Sequence, residues 1–332
     1  MPAHIIDGEK IAQDIKQTVA QQIAGLKRAG ATPQLVAVQV GQNPASKIYT
    51  NMQARECQTV GIDYQLLELS AETTQEQLLH KLGELNADKS VCGVILQMPL
   101  PSHIDARLAQ RFISPIKDVE SVNPAAMGEL FFGCTQCAPC TAVAAMELLQ
   151  HAAHNLRGKE TVIVGRSEIV GKPLAMMLLD KTVSATVTVC HTGTADLAEH
   201  CRRAEVLIAA TGLSQMRWLS YSRSRKMGDY PPPPDLTPLI KGDMIRPGAI
   251  VIDVAINRIP RGLDAKGDAI KKADGKNDMI TVGDVDFAAA MEKASAVTPV
   301  PGGVGPVTVA ILLRNTLACA RALYANPVET GW

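Results

Sequence analysis

Residues 160–173 read ETVIVGRSEIVGKP. The first six have the length and β-branched content of a buried strand. Gly165 then permits a tight turn, and Gly171 opens an apolar helical stretch over 171–180. A glycine at each of those points lets backbone approach backbone, and amides at a helix start can face a phosphate. The spacing is not G-x-G-x-x-G, so a strand-to-helix turn with no ligand is the competing reading of this stretch alone.

Working outward, residues 185–190 (ATVTVC) read as a strand, 194–203 as a helix, 205–210 (EVLIAA) as a strand and 249–254 (AIVIDV) as another. That order is the order of a doubly wound nucleotide-binding sheet. In NAD-selective sites an acid usually ends the second strand and grips the ribose hydroxyls. Here the strand runs out as Cys190-His191-Thr192, without one. Arg166 is available for an additional phosphate, and Thr192 for a hydrogen bond. The combination points to NADP; a surface salt bridge is the other role open to Arg166.

Upstream, helical spacing through Ile11, Ile15, Val19, Ile23 and Leu26 predicts a helix over 11–30. A strand follows in PQLVAVQVG, a helix over 45–60, a strand over 62–69, a helix over 73–88 and a third apolar run over 91–100. Strand and helix alternate, as in a parallel sheet covered by helices. A helix from Thr141 to His154 reads as a link between two domains. His151 and His154 lie three apart on it, which suits a ligand pair or, more simply, a solvated helix end.

The run from Leu213 to Leu239 breaks the rhythm. It holds Arg217, Arg223, Arg225, Lys226, Trp218, two tyrosines and prolines 231–234. It reads as a surface insertion with a stiff polyproline segment. A solvated excursion is the plain reading, and contact with a nucleic acid or a partner the sharper one.

Hydrophobic residues make up 46% and aromatics only 3%, so the core must be aliphatic. Lys plus Arg and Asp plus Glu number 33 each, and a neutral chain has no global attraction to nucleic acid or an anionic membrane. We find no stretch that reads as a bilayer span and no apolar signal core at the start, which implies a cytoplasmic protein. Eight cysteines in 332 residues do not suggest a disulfide scaffold. Cys134, Cys137 and Cys140 have metal-site spacing but no fourth ligand nearby, so no metal is expected.

Nine segments, in order and spanning nearly the whole chain, together resemble one family. They are IDGEKIA (6–12), VGQNPASKIY (40–49), GVILQMPLP (93–101), PIKDVESVNP (115–124), PCTAVAAMELL (139–149), VIVGRSEIVGKP (162–173), VIDVAINR (251–258), GDVDF (283–287) and VTPVPGGVGPVT (297–308). The family is the methylenetetrahydrofolate dehydrogenase–cyclohydrolases. The resemblance implies an α/β chain of two domains. One is an N-terminal three-layer α/β folate-binding domain over 1–145 plus 305–325, to which the last helix returns. The other is a Rossmann-type doubly wound parallel sheet over 146–304 that binds NADP and carries the insertion 213–239. The reaction would occur in the cleft between them, in a homodimer. Tyr49 would stack on the pterin and Gln97 would bond near the reacting carbon. Pro301, Gly302 and Gly305 would line the folate pocket. Gly165, Arg166, Ser167, Thr192 and Ile256 would touch NADP.

Three departures bear on chemistry. The family's lysine, four residues after the tyrosine, is here Gln53. Its folate-binding aspartate in K-D-V-D-G falls on Glu120, and the glycine after it on Ser121. The insertion follows a strand near the cofactor. Oxidation of 5,10-methylenetetrahydrofolate needs no proton removed by a side chain, because the cofactor accepts a hydride and the protein supplies alignment. Hydrolysis of the methenyl product does need proton transfers, and Gln53 cannot titrate. General acid–base catalysis contributes about a hundred- to ten-thousand-fold, so the hydrolysis is expected to be weak or lost. Lys47 points to another face of the helix and is a poor substitute. Three functions stay open at this point: a dehydrogenase with little cyclohydrolase action, a fully bifunctional enzyme, and a paralogue that binds folate or nucleotide without turnover.

Overall fold

The computed structural model describes residues 2–41, 44–133, 138–153, 155–227, 229 and 231–324, and within the second helix the side chains from Tyr49 onward. In chain order the elements are β1 (His4–Ile5), α1 (Gly8–Arg28), β2 (Gln34–Val40), α2 (Pro44–Val60), β3 (Asp63–Leu69), α3 (Gln75–Ala87), β4 (Val91–Leu96), α4 (Ala106–Phe112), α5 (Pro124–Phe131) and α6 (Cys140–Ala152). They continue with β5 (Glu160–Val164), α7 (Gly171–Leu179), β6 (Thr186–Cys190), α8 (Leu197–Arg203), β7 (Val206–Ala209), α9 (Leu213–Lys226), β8 (Ile250–Asp253), β9 (Asn257–Pro260), β10 (Met279–Val282), α10 (Phe287–Lys293), β11 (Ala296–Val297) and α11 (Val304–Tyr324).

The chain forms two compact units. One comprises Lys10–Val143 and the stretch from Val307 onward; the other comprises the chain up to Glu9 and Ala144–Pro306. In the first, three parallel strands lie in the order β3-β2-β4. Central β2 is buried on both faces, which is why Leu35–Val38 is an unbroken apolar run. Val36, Val38, Val94 and Leu96 pack with Leu78, Leu82 and Ile113 from the covering helices. Thr74 and Gln77 close the start of α3 with a reciprocal capping box. From α11, Asn315 Nδ2 donates to the carbonyls of Val119 (2.9 Å) and Ala138 (3.1 Å), so the last helix does return to this unit. By length and hydropathy α11 would pass as a bilayer span, against the sequence expectation; 61% of that window is buried inside the protein, as befits a core helix.

In the second unit the main sheet has six parallel strands, in the order β1-β11-β8-β7-β5-β6. After β5 the chain goes first to β6 on one side and then to β7 on the other. The carboxyl ends of β5 and β7 therefore flank the switch point where doubly wound sheets bind ligands. His4 and Ile5 pair with Ala296 and Val297, so the first nine residues belong here and not, as expected, with the first unit. Two-residue strands carry no periodicity to read.

The stretch 213–239 is also corrected. Leu213–Lys226 is a helix, not a loop. Trp218 and Tyr221 are buried against Ile259 and Ala269, alongside the antiparallel pair β9–β10. Tyr221 donates to the Gly267 carbonyl at 3.0 Å, and Arg225 bonds Asp268 and the Lys266 carbonyl, both at 2.8 Å.

Candidate active site

Helical spacing puts Thr50, Gln53, Cys57 and Val60 on the buried stripe of α2. Gln53 is only 1% exposed. Gln97, just past β4, donates its amide to Val38 O (2.8 Å), which carries the ladder one residue further and fixes its side chain. Its Nε2 then donates to Gln53 Oε1 at 2.9 Å, and the Tyr64 hydroxyl donates to the same oxygen at 3.2 Å. Gln97 and Tyr64 thus hold the oxygen end of the Gln53 amide. Gln53 Nε2 is buried, and among the described residues it makes no hydrogen bond of ordinary geometry, though Gln53 does favour ionisation of the Tyr49 phenol.

Tyr49 stands one helical turn before Gln53 and is 37% exposed. Its phenol is pushed up to about 12, by burial first and then by Glu120 and Cys140, with Gln53 pulling the other way. Tyr49, Gln53, Gln97 and Glu120 therefore gather in one unit.

Glu120 follows a short 3-10 turn at Pro115–Lys117. Asp118 holds the loop: its Oδ2 accepts from the Asn123 amide at 2.7 Å, and the amides of residues 120–122 favour its ionised form. Burial outweighs them and raises Asp118 to about 6; its Oδ1 makes no hydrogen bond among the described residues. Glu120, half-buried, is raised to about 7 by burial and then by Asp118. Ser121 sits at φ 52, a left-handed conformation that suits glycine, and its hydroxyl is buried and without a partner among the described residues. The one base in this segment, Lys117, turns away, its Nζ donating to the carbonyls of Leu85 and Asp88. The side chain of Lys47 lies outside the described residues.

The nucleotide half is built at the end of β5. Gly165 has φ 132, and a Cβ there would lie 2.4 Å from the Ala210 carbonyl oxygen. A Cβ on Gly171 would lie 2.1 Å from the Gly165 oxygen. Both glycines are thus demanded by close backbone. Ser167 Oγ accepts from the amide of Val170 at 3.1 Å, which shapes the start of α7. Arg166 is exposed and makes no hydrogen bond or ion pair among the described residues, so the surface salt bridge is not formed. Thr192 is exposed in a turn closed by His191 N donating to Thr194 Oγ1 at 2.8 Å. Ile256 is 56% exposed, and its Cδ1 would be 3.6 Å from a Cβ on Gly305. Pro301, Gly302 and Gly305 belong to this same unit.

Several residues of these sites have no signal in their local spacing. Tyr64 belongs to a strand read only for its apolar pattern. Asp253 accepts from the amides of Ala255, Asp284 and Val285, while Asp284 accepts from Thr211, Gly212 and Asn257. That network fastens the carboxyl ends of β7 and β8. Asn315 was detectable as a polar residue within an apolar helix. Of the three spaced cysteines, Cys140 is buried, with its thiol toward the Val119 carbonyl (3.4 Å); Cys134 and Cys137 lie outside the described residues. His151 donates to the Glu147 carbonyl at 2.9 Å, and His154 lies outside them too.

Residues 6–120 match the tetrahydrofolate dehydrogenase/cyclohydrolase catalytic domain, and residues 139–219 and 236–324 the NAD(P)-binding domain of the same family. The chain belongs to the tetrahydrofolate dehydrogenase/cyclohydrolase family. It is 42% identical to the bifunctional protein FolD of Moorella thermoacetica over 97% of this chain and all of that one. The Campylobacter jejuni FolD structure superimposes with a TM-score of 0.81 at 36% identity, covering 96% of this chain and 99% of that one. The Trypanosoma brucei FolD structure, determined with NADP and an inhibitor, does so at 0.81 and 32% identity, covering 98% and 100%. The family's NAD(P)-binding domain match is interrupted only over 220–235 within this region, a shorter stretch than the 213–239 expected to be inserted.

Proposed function

We propose that this chain oxidises 5,10-methylenetetrahydrofolate to 5,10-methenyltetrahydrofolate with NADP, and hydrolyses the product weakly or not at all. One observation carries the second half. Where the resemblance places a lysine, a buried amide stands clamped through its oxygen by Gln97 and Tyr64. An amide can orient a ligand but cannot take up or release a proton near neutral pH.

The residues present fit NADP. Gly165 and Gly171 form a backbone cradle that any Cβ would fill. Arg166 is unengaged among the described residues, and no acid stands at the end of β6, Cys190-His191-Thr192, to repel a ribose phosphate. NADP, when bound, supplies the hydride acceptor. Arg166 and Thr192 would hold its extra phosphate, Ser167 would keep the turn ahead of α7 in shape, and Ile256 would press on its apolar side. On the folate unit, Tyr49 would stack on the pterin, Gln97 and Gln53 would fix the reacting carbon, and Glu120 would hold the pterin edge. Pro301, Gly302 and Gly305 would offer close backbone to the folate. A cytoplasmic homodimer is the assembly the resemblance supports, and light scattering on the purified chain checks it.

Two assays test the reading. Methylenetetrahydrofolate plus NADP should yield NADPH, while added methenyltetrahydrofolate should persist close to its uncatalysed rate. Gln53→Lys should then gain hydrolysis by about a hundredfold or more. Rapid hydrolysis by the unaltered chain would favour the fully bifunctional reading, for which the neutral-range Glu120 carboxyl is a candidate proton carrier. Failure of both reactions would leave a binding protein.

A further inference from the structure

Asp284 is fully buried where the chain leaves the carboxyl ends of β7 and β8. Its Oδ2 accepts from the Thr211 amide (2.7 Å), the Thr211 hydroxyl (2.6 Å) and the Gly212 amide (3.1 Å). Those two residues belong to the loop after β7. Its Oδ1 accepts from Asn257 Nδ2 at 3.0 Å. Asn257 follows Ile256 in the chain that has just left β8. One carboxylate thus bridges the loops that follow two neighbouring strands. Its own backbone is fixed from both sides. The amide donates to Asp253 Oδ1 at 3.1 Å, and the carbonyl accepts from the Ile240 amide at 2.9 Å.

The fastening reaches further on either side. Ala210, just before Thr211, packs on the glycine turn after β5: a Cβ on Gly165 would lie 2.4 Å from its carbonyl oxygen. The loop held by Asp284 therefore borders the turn that faces the cofactor phosphates. On the other side, Asn257 Oδ1 accepts from the Gln215 amide at 2.9 Å, and Gln215 Oε1 accepts from the Arg258 amide at 2.8 Å. The first turn of α9 is tied to the same carboxylate in this way. Burying a carboxylate costs free energy that apolar packing of the same space would not. Charge-assisted bonds from both loops to its two oxygens fix direction as well as distance, which apolar packing does not.

A dinucleotide lies across the switch point of a doubly wound sheet, with its adenosine ribose at the end of the second strand, here β6. The nicotinamide half then falls on the side of β7 and β8. We propose that Asp284 is a positioning residue for that half: it sets the separation of the loops after β7 and β8, on which the place of the nicotinamide ring depends. Asp284 is too deeply buried to touch the cofactor itself and acts through Thr211, Gly212 and the Ile256–Asn257 segment. The inference rests on NADP binding and not on the folate chemistry proposed above.

The test is calorimetric titration of the full-length chain with NADP and, separately, with adenosine 2′,5′-bisphosphate, which fills only the adenosine half. Thr211→Val keeps the volume and removes the hydroxyl that donates to Asp284, and Thr211→Ser keeps that hydroxyl. Asp284→Asn keeps the shape but turns one acceptor into a donor, facing either the Thr211 donors or Asn257 Nδ2. Asn257 cannot turn to meet it without giving up the Gln215 amide. We expect both Thr211→Val and Asp284→Asn to bind NADP about tenfold more weakly, as buried donors left unpaired imply, with the bisphosphate held within about twofold. Thr211→Ser should bind NADP as the unaltered chain does. NADP affinity unchanged in Thr211→Val, or a parallel loss of both ligands, would overturn the inference. Should Asp284→Asn fail to fold, Thr211→Val and its serine counterpart decide alone. If the unaltered chain binds both ligands and the variants lose them equally, only this inference fails; if the unaltered chain binds neither, the NADP reading fails with it.

Discussion

At the scale of single residues, local strain marks where this chain departs from its family's pattern. Ser121 holds φ 52 with a buried hydroxyl that bonds nothing among the described residues. A left-handed conformation costs a non-glycine residue about 1–2 kcal/mol, and an unpartnered buried polar group about 1–3 kcal/mol. Glycine would remove both, against an unfolded-state entropy penalty of about 0.4–1 kcal/mol. The first two effects win. Ser121→Gly should raise the urea midpoint by the equivalent of on the order of 1 kcal/mol, and an unchanged or lower midpoint would show that the hydroxyl has a use in the folded chain. Gln53 was legible as a candidate site residue through the family resemblance, which places a lysine at that position. Its orientation was not, since that depends on Tyr64 and Gln97 arriving from two different strands.

At the scale of elements, the long helices and strands follow their periodicity closely. Exceptions arise where an element is too short to show a period, as in β1 and β11, or where its apolar residues are few. The stretch after β7 is the instructive case. Its charges and prolines suggested a solvated excursion, yet Trp218 and Tyr221 sit three apart and face inward on α9. Two aromatics bury enough area to hold a helix that is otherwise polar. Trp218→Ala should cost about 3 kcal/mol, as large-to-small aromatic changes in cores do. Hydrogen exchange should show the loss confined to α9 and the β9–β10 pair, with β5, β7 and β8 still protected. Loss of protection across the six strands would mean that α9 supports the whole unit.

At the scale of the molecule, a residue near the end of the chain secures the loop that carries Glu120. Asn315 reaches back 196 positions to the Val119 carbonyl, beside both acids. Asn315→Leu keeps the volume and removes a donor from Val119 and from Ala138. We expect a loss of about 2 kcal/mol in stability, weaker binding of methenyltetrahydrofolate, and NADP affinity unchanged. Equal weakening toward both ligands would instead indicate general unfolding.

The order of strands and helices, the glycines at 165 and 171 and the missing acid after β6 were set by sequence, because each depends on neighbours within a few residues. Which unit the first nine residues join, which way the Gln53 amide faces, and whether Asp118 and Glu120 meet a cation were decided by tertiary structure. Those depend on groups brought together from distant segments, and local pattern holds no record of such encounters.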